Sequence, residues 1–409
     1  MNRTDSSATY SRPFAIATLL CLVAFGLHAA APADQSQFAS ANAGFAFKLL
    51  KQLAKEQPGT NIFISPYGAS TVLQMACNGA RGQTKTEMQR VLGTTDLVPE
   101  ALNTAVNNCD QAITGQGTSV VFTAANAIWC QKGTRMKPAF ASCCQQYFGA
   151  TVDSLDFGDP RSVGVINAWV SEKTHGKING FADGLIDPPI DLFLADAVYF
   201  KGRWAVPFDA KRTKDRPFHL RTGRPKQVPM MEQTQAFAYR QESGYQAVWL
   251  LYQGWDIAMY VFLPDANSSP EKLIGSMSGG TWQGVTEPGF TWRKGTVVLP
   301  RFKLEYSVEL NQSLRALGMR AAFDNADFSG IADVRTFISA VRHRTFVEVN
   351  EEGTEGAAAM GIPHTHGVEM NPPEPFQMIV DRPFFFLIED QQTGTILFMG
   401  VVHDPGAST

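Results

Sequence analysis

The run Glu351-Glu352-Gly353-Thr354-Glu355-Gly356-Ala357-Ala358-Ala359-Met360-Gly361 lies between two strongly apolar segments, Val341 to Val349 and Phe384 to Glu389. It continues into a loop rich in Gly, Pro and His as far as Pro375. Small residues have little surface to bury, so such a run is ordinarily a spacer. Here it leaves the end of a strand-like segment, which gives a different reading. The run is a strand held out of its sheet, and its delayed entry is the function.

The chain that carries this strand is large enough to receive it. Its 409 residues, 44% of them hydrophobic, allow a sizeable core and one or two domains. A net charge of −3 gives no electrostatic case for nucleic acid or an anionic membrane as partner. Residues 1–31 stand apart. Arg3 and Arg12 precede the apolar run Phe14 to Leu27, and Ala29-Ala30-Ala31 supplies an A-x-A cleavage pattern. This is the pattern of a secretory signal, so an exported protein is expected: extracellular, or periplasmic in a Gram-negative source. Five cysteines follow it: Cys77, Cys109, Cys130, Cys143 and Cys144. An odd number leaves at least one thiol free or paired outside the chain. Cys143-Cys144 fits neither a C-x-x-C nor a zinc spacing, and burial on a helix is expected.

Along the chain, Phe38, Phe45, Leu49 and Leu53 recur at helical spacing between Ser36 and Glu56. Asn61 to Ile64 reads as a short strand, and Ser65-Pro66 as an N-cap with Pro at the first helical position. Thr84 and Glu87 suggest a capping box for a helix that Gly93 ends. Helices are expected over Pro99 to Gly115, Pro138 to Phe148, Arg161 to Thr174 and Val308 to Leu317, and strands over Thr118 to Cys130 and Asp191 to Phe200. The second half reads mostly as strands: Ala247 to Tyr252, Asp256 to Leu263, Thr296 to Glu305, Val341 to Val349, Phe384 to Glu389 and Thr395 to Val402. Helices grouped in the first half and strands in the second point to an α+β fold with mostly antiparallel sheets.

Several strings then carry a resemblance. They are Asn61 to Pro66, Asn78 to Thr84, Asn167 to Val170 with Thr174 to Ile178, Ala197 to Trp204, Val228 to Met231, Leu299 to Phe302, Ala326 to Gly330, Glu351 to Glu355, Asp381 to Phe384 and Leu397 to Gly400. Each is short, but in this order they resemble the serpin family over the whole mature chain. The resemblance implies a single domain over residues 32–409 with three β-sheets, eight to nine helices and an exposed reactive-centre loop at about 351–375. It implies a suicide inhibitor of serine or cysteine proteases rather than an enzyme. The protease cleaves the loop, the part before the cut enters the central sheet as a new strand, and the acyl-enzyme is trapped as a covalent complex. A monomer without metal or cofactor is expected.

The loop meets the physical demands of insertion. Gly353 to about Gly367 is about 15 residues, or about 50 Å at about 3.3 Å per residue, enough to carry a tethered protease from pole to pole. The leading residues Gly353, Thr354, Glu355, Gly356, Ala357, Ala358 and Ala359 contain no proline and no bulky side chain. Gly356 stands where the family usually has alanine, at a cost of up to about 1 kcal/mol in backbone entropy. Pro363 lies in the inserting segment and has no N–H for a ladder. A measurable substrate side-reaction is therefore expected. Counting the family's usual spacing from Glu351 puts the scissile bond at Gly367-Val368, with His366-Gly367, Val368-Glu369 and Met370-Asn371 as alternatives. The loop from Gly353 to Pro375 has no Arg or Lys. Elastase-, subtilisin- or chymotrypsin-like targets are expected over trypsin-like ones.

Other residues divide between ordinary and functional readings. His364 and His366 lack further ligands for a metal, and a solvated loop accounts for them. Ser65 has no G-x-S-x-G elbow around it and reads as a helix cap. The resemblance places it under the sheet where strands part, and places Trp204 where the loop first enters. Asp196 and His343 fall on apolar faces of their strands, at positions where the family usually has Asn and His in a network that gates opening; Gly68 replaces a serine of that region. A buried Asp196–His343 hydrogen bond is expected, with Asp196 raising the His pKa and the gate loosening at alkaline pH. The Pro99 to Gly115 helix has no Lys or Arg, so heparin activation is not expected. The competing reading is a non-inhibitory serpin acting as a carrier.

Overall fold

The computed structural model describes residues 33–114, 120–184, 189–254, 256–286, 289–354 and 374–406. Its helices are α1 (Ala33–Glu56), α2 (Pro66–Gly79), α3 (Gly82–Leu92), α4 (Pro99–Thr114), α5 (Pro138–Phe148), α6 (Arg161–Lys173), α7 (Pro270–Ser276), α8 (Gly279–Thr286), α9 (Asn311–Ala316) and α10 (Ala321–Asp324). The strands of the first half are β1 (Ile62–Ile64), β2 (Val120–Gln131), β3 (Thr151–Leu155), β4 (Leu192–Arg203), β5 (Lys214–His219), β6 (Pro225–Glu242), β7 (Tyr245–Leu251) and β8 (Ile257–Pro264). There follow β9 (Thr291–Pro300), β10 (Phe302–Glu309), β11 (Ile338–Asn350), β12 (Gly353–Thr354), β13 (Phe376–Ile379), β14 (Phe384–Asp390) and β15 (Thr395–Val402).

The three expected sheets form two hydrogen-bonded networks. One is six-stranded, in the order β10-β11-β12-β4-β2-β3. The other runs β1-β15-β14-β8-β7-β6-β9-β13, with β5 added on β6. The second and third sheets merge because the 18 residues of β6 serve both. Its first part pairs with β5, its middle with β9 and its end with β7.

The main core lies between the two networks and takes in α1 and α2. A second cluster lies between the outer face of the six-stranded sheet and α6. Strand β4 supplies both, with Leu192, Leu194, Val198 and Phe200 on one side and Phe193, Ala195, Ala197 and Tyr199 on the other. A strand buried on both faces reads as a continuous apolar run, as this one does.

Local chemistry behaved as expected at several ends. Ser65 caps α2 by accepting the Gly68 N–H, with Pro66 at the first helical position. Three expectations need correction. Helix α3 opens at Gly82 with no side-chain cap. Thr84 instead accepts the Asp327 N–H, and Glu87 accepts those of Arg320 and Ala321. The expected strand Thr296 to Glu305 is two strands in different networks, broken at Pro300–Phe302. The helix expected from Val308 starts at Asn311, because Val308 pairs with His343 across β10 and β11.

Candidate hinge and strand-opening site

Strands β4 and β11 form a fork. Over their lower part they pair directly and in parallel, from Ile338–Leu192 to Phe346–Tyr199. Above that they diverge, and β12 fills the gap. Gly353 pairs with Asn350 and Arg203, and Thr354 with Val349 and Gly202. The strand expected to stand outside its sheet therefore already has its first two residues inside.

The seat is specific for these residues. Gly353 has φ +145°, and a Cβ there would sit 2.1 Å from the Gly202 carbonyl oxygen, so only glycine fits. Thr354 is fully buried, and its hydroxyl meets the Tyr252 hydroxyl at 2.9 Å. Tyr252 is stacked on Trp204 at 4.5 Å between centroids. Trp204 Nε1 donates to the Asn350 carbonyl at 3.0 Å, and Trp204 N to that of Glu352 at 2.9 Å. Trp204 thus packs beside the start of β12.

Glu351 anchors the strand end. Its buried carboxylate accepts from Arg301 Nε at 2.8 Å, from Arg301 Nη2 and from the Thr213 hydroxyl. Burial alone would raise this carboxyl, but the Arg301 and Thr213 hydrogen bonds outweigh it and hold it below the usual range. The break after β9 is what brings Arg301 here, immediately before β10 begins.

At the middle of the seam Asp196 and His343 are opposite one another and wholly buried. His343 Nδ1 lies 2.5 Å from Asp196 Oδ2. The other ring nitrogen, Nε2, accepts the Ser65 N–H at 3.0 Å. That acceptor role needs a lone pair, so the ring is neutral and carries its proton at Nδ1. The expected contact is present, but imidazolium formation does not fit it. Burial, by contrast, raises the Asp196 carboxyl above the aspartate range, and the opposing pull of His343 does not cancel it. The α2 backbone closes over the pair. A Cβ on Gly68 would lie 2.3 Å from Asp196 Oδ1, so glycine here and aspartate at 196 are sterically matched.

Glu355, Gly356, Ala357, Ala358 and Ala359 lie outside the described residues, as do His364, His366, Gly367, Val368, Glu369, Met370 and Asn371. Sequence reasoning missed Tyr252, Arg301 and Thr213 at this site. Their signals were weak, since each looks like an ordinary strand or loop residue until the register is known.

This arrangement, a small-residue strand started between two parallel strands, defines the class. The family profile described as Serpin (serine protease inhibitor) matches residues 40–405. A serpin-like protein of Thermococcus kodakarensis is 36% identical over 368 residues, covering 88% of this chain and 84% of its own length. The leukocyte elastase inhibitor of Sus scrofa is 36% identical over 387 residues, covering 90% of this chain and all of its own. Among solved structures, human thyroxine-binding globulin superposes with a TM-score of 0.83 at 27% identity, covering 92% of this chain and 100% of that one. The chain is a member of the serpin family.

Proposed function

We propose that this chain is an exported, irreversible suicide-substrate inhibitor of serine proteases. The seated hinge is the observation that carries the reading. Insertion needs a strand that starts in register, and Gly353–Thr354 occupies the first two positions between β4 and β11. Extending that register residue by residue would bring Glu355 level with Lys201 and Glu348, and Met360 level with Asp196 and His343. Thr354 faces the core, so Gly356, Ala358, Met360 and Ile362 would follow it inward, and Glu355 would face outward. Every inward position up to Ile362 is small or apolar. Pro363 would fall level with Phe193 and Ala340, where its missing N–H weakens the ladder.

The absence of Arg and Lys between Gly353 and Pro375 favours an elastase-, subtilisin- or chymotrypsin-like target. The similarity to leukocyte elastase inhibitors agrees with this. The signal-like residues 1–31 support export, and a monomer needs no partner subunit for this mechanism. The second reading, a non-inhibitory carrier, is favoured by the likeness to thyroxine-binding globulin.

Incubation with a panel of serine proteases tests the proposal. An SDS-stable complex is expected with a protease that accepts small or apolar residues, together with a cleaved, uncomplexed fraction from the Pro363 delay. Cleavage by every protease with no stable complex would refute the inhibitory reading. The mass of the released C-terminal fragment identifies the scissile bond among residues 366–371.

A further inference from the structure

Two buried side-chain oxygens on neighbouring strands lack a hydrogen-bond partner. Asp196 uses Oδ2 for His343, and its Oδ1 has no partner. Asn126 stands directly opposite Asp196 in the β2–β4 ladder, and its Oδ1 is also buried without a partner. Opposed residues of an antiparallel pair share one face of the sheet, with Cβ atoms roughly 4.5–5.5 Å apart. The two side chains are therefore immediate neighbours on that face.

The missing donor cannot come from the ring. His343 Nε2 is committed to the Ser65 N–H, and Nδ1 to Asp196 Oδ2. Around the carboxyl, α2 presents Ser65 and Gly68, β2 presents Asn126, β4 presents Leu194 and Val198, and β11 presents His343 between Val341 and Thr345. His343 is the only titratable group among these. The fit of Gly68 against Asp196 Oδ1 leaves no room on that side for a water or a cation.

We propose that Asp196 holds a proton on Oδ1 in the closed sheet and donates it to Oδ1 of Asn126, and that loss of this proton destabilises the folded sheet where β2 and β4 pair. Both orphaned oxygens are then satisfied and the site is uncharged. After dissociation the proton passes to solvent, and a buried carboxylate is left with one oxygen unpaired beside another acceptor. Burial of the carboxyl acts in the same direction. The folded group binds its proton more tightly than the unfolded value of about 3.9. Its stabilisation is complete below that value and is lost as pH rises through the folded one.

Asp196→Asn supplies the test. Its amide N–H is a permanent donor to Asn126, and its oxygen still accepts from His343. Glu389, pushed up to about 7 by burial, adds a pH dependence of the same sign in both proteins, so the measured quantity is the difference between their urea midpoints. Wild type should fall behind the variant progressively as pH rises above the unfolded value of about 3.9, by up to about tenfold in the folding equilibrium per unit until the folded value is passed, and run parallel to it beyond. Parallel profiles would overturn the proposal. Asn126→Ala provides a second route, since removal of the acceptor should move the weakening to lower pH; an unmoved profile overturns the shared proton. Infrared spectra of protein labelled at the aspartate carboxyls should show a carboxylic-acid band that Asp196→Asn lacks, and identical spectra would also refute it. None of these readouts involves a protease, so they stand or fall apart from the inhibitory reading.

Discussion

At the scale of single residues, the seam shows how one substitution reassigns a titration. The Asp196–His343 contact was legible because two polar residues interrupted apolar faces on strands that topology could bring together. Which of the two titrates was not legible. It depends on a main-chain N–H, that of Ser65, whose direction is set by the cap of α2. The cysteines are a second case. All five described cysteines are free, and four are buried, with Cys143 half-buried. Burial raises each thiol, Cys77 to about 11. A thiolate-selective reagent should therefore modify Cys143 alone, and slowly, in the folded protein, and all five after denaturation. Fast reaction of two or more native thiols, counted by mass spectrometry, would contradict this burial.

At the scale of elements, the correctly read pieces had their stop signals within a few residues. Helix α5 starts at Pro138 and ends before Gly149, which has φ +56°, and both bounds follow from local chemistry. Strand β15 is a continuous apolar run buried throughout. The misread pieces were decided by partners distant in sequence. Val308 has helical spacing with its successors, but pairing with His343 holds it in β10. Strand β6 escaped notice because Pro225, Pro229 and a polar middle hide its alternation. Thr84 and Glu87 have the spacing of a capping box and use it to hold another segment. Glu87→Ala should cost about 1–2 kcal/mol, since two N–H groups lose a charged acceptor. Hydrogen exchange should speed up at Arg320 and Ala321 while the first turn of α3 is unchanged. Fraying of α3 instead would restore the capping-box reading.

At the scale of the whole molecule, the inhibitory reading requires the native state to be metastable. Proteolytic cutting within residues 355–373 should then raise the thermal midpoint sharply, because a new strand can enter the six-stranded sheet. A gain of even about 5 kcal/mol would shift the midpoint by roughly 6 °C in a chain of this size. A carrier unable to insert would melt at nearly the same temperature before and after cleavage, so calorimetry separates the two readings. The merging of two sheets through β6 adds a mechanical point. The chain leaves the six-stranded sheet after Thr354 and is described again from residue 374, with β13 paired, among the described residues, only to β9 at the margin of the other network. An uncut loop is thus a tether between two separate sheets, fixed at both ends. On the inhibitory reading, full entry of the uncut chain into the six-stranded sheet would have to pull β13 from β9, and cleavage removes that restraint, so the intact peptide bond would work as a safety catch.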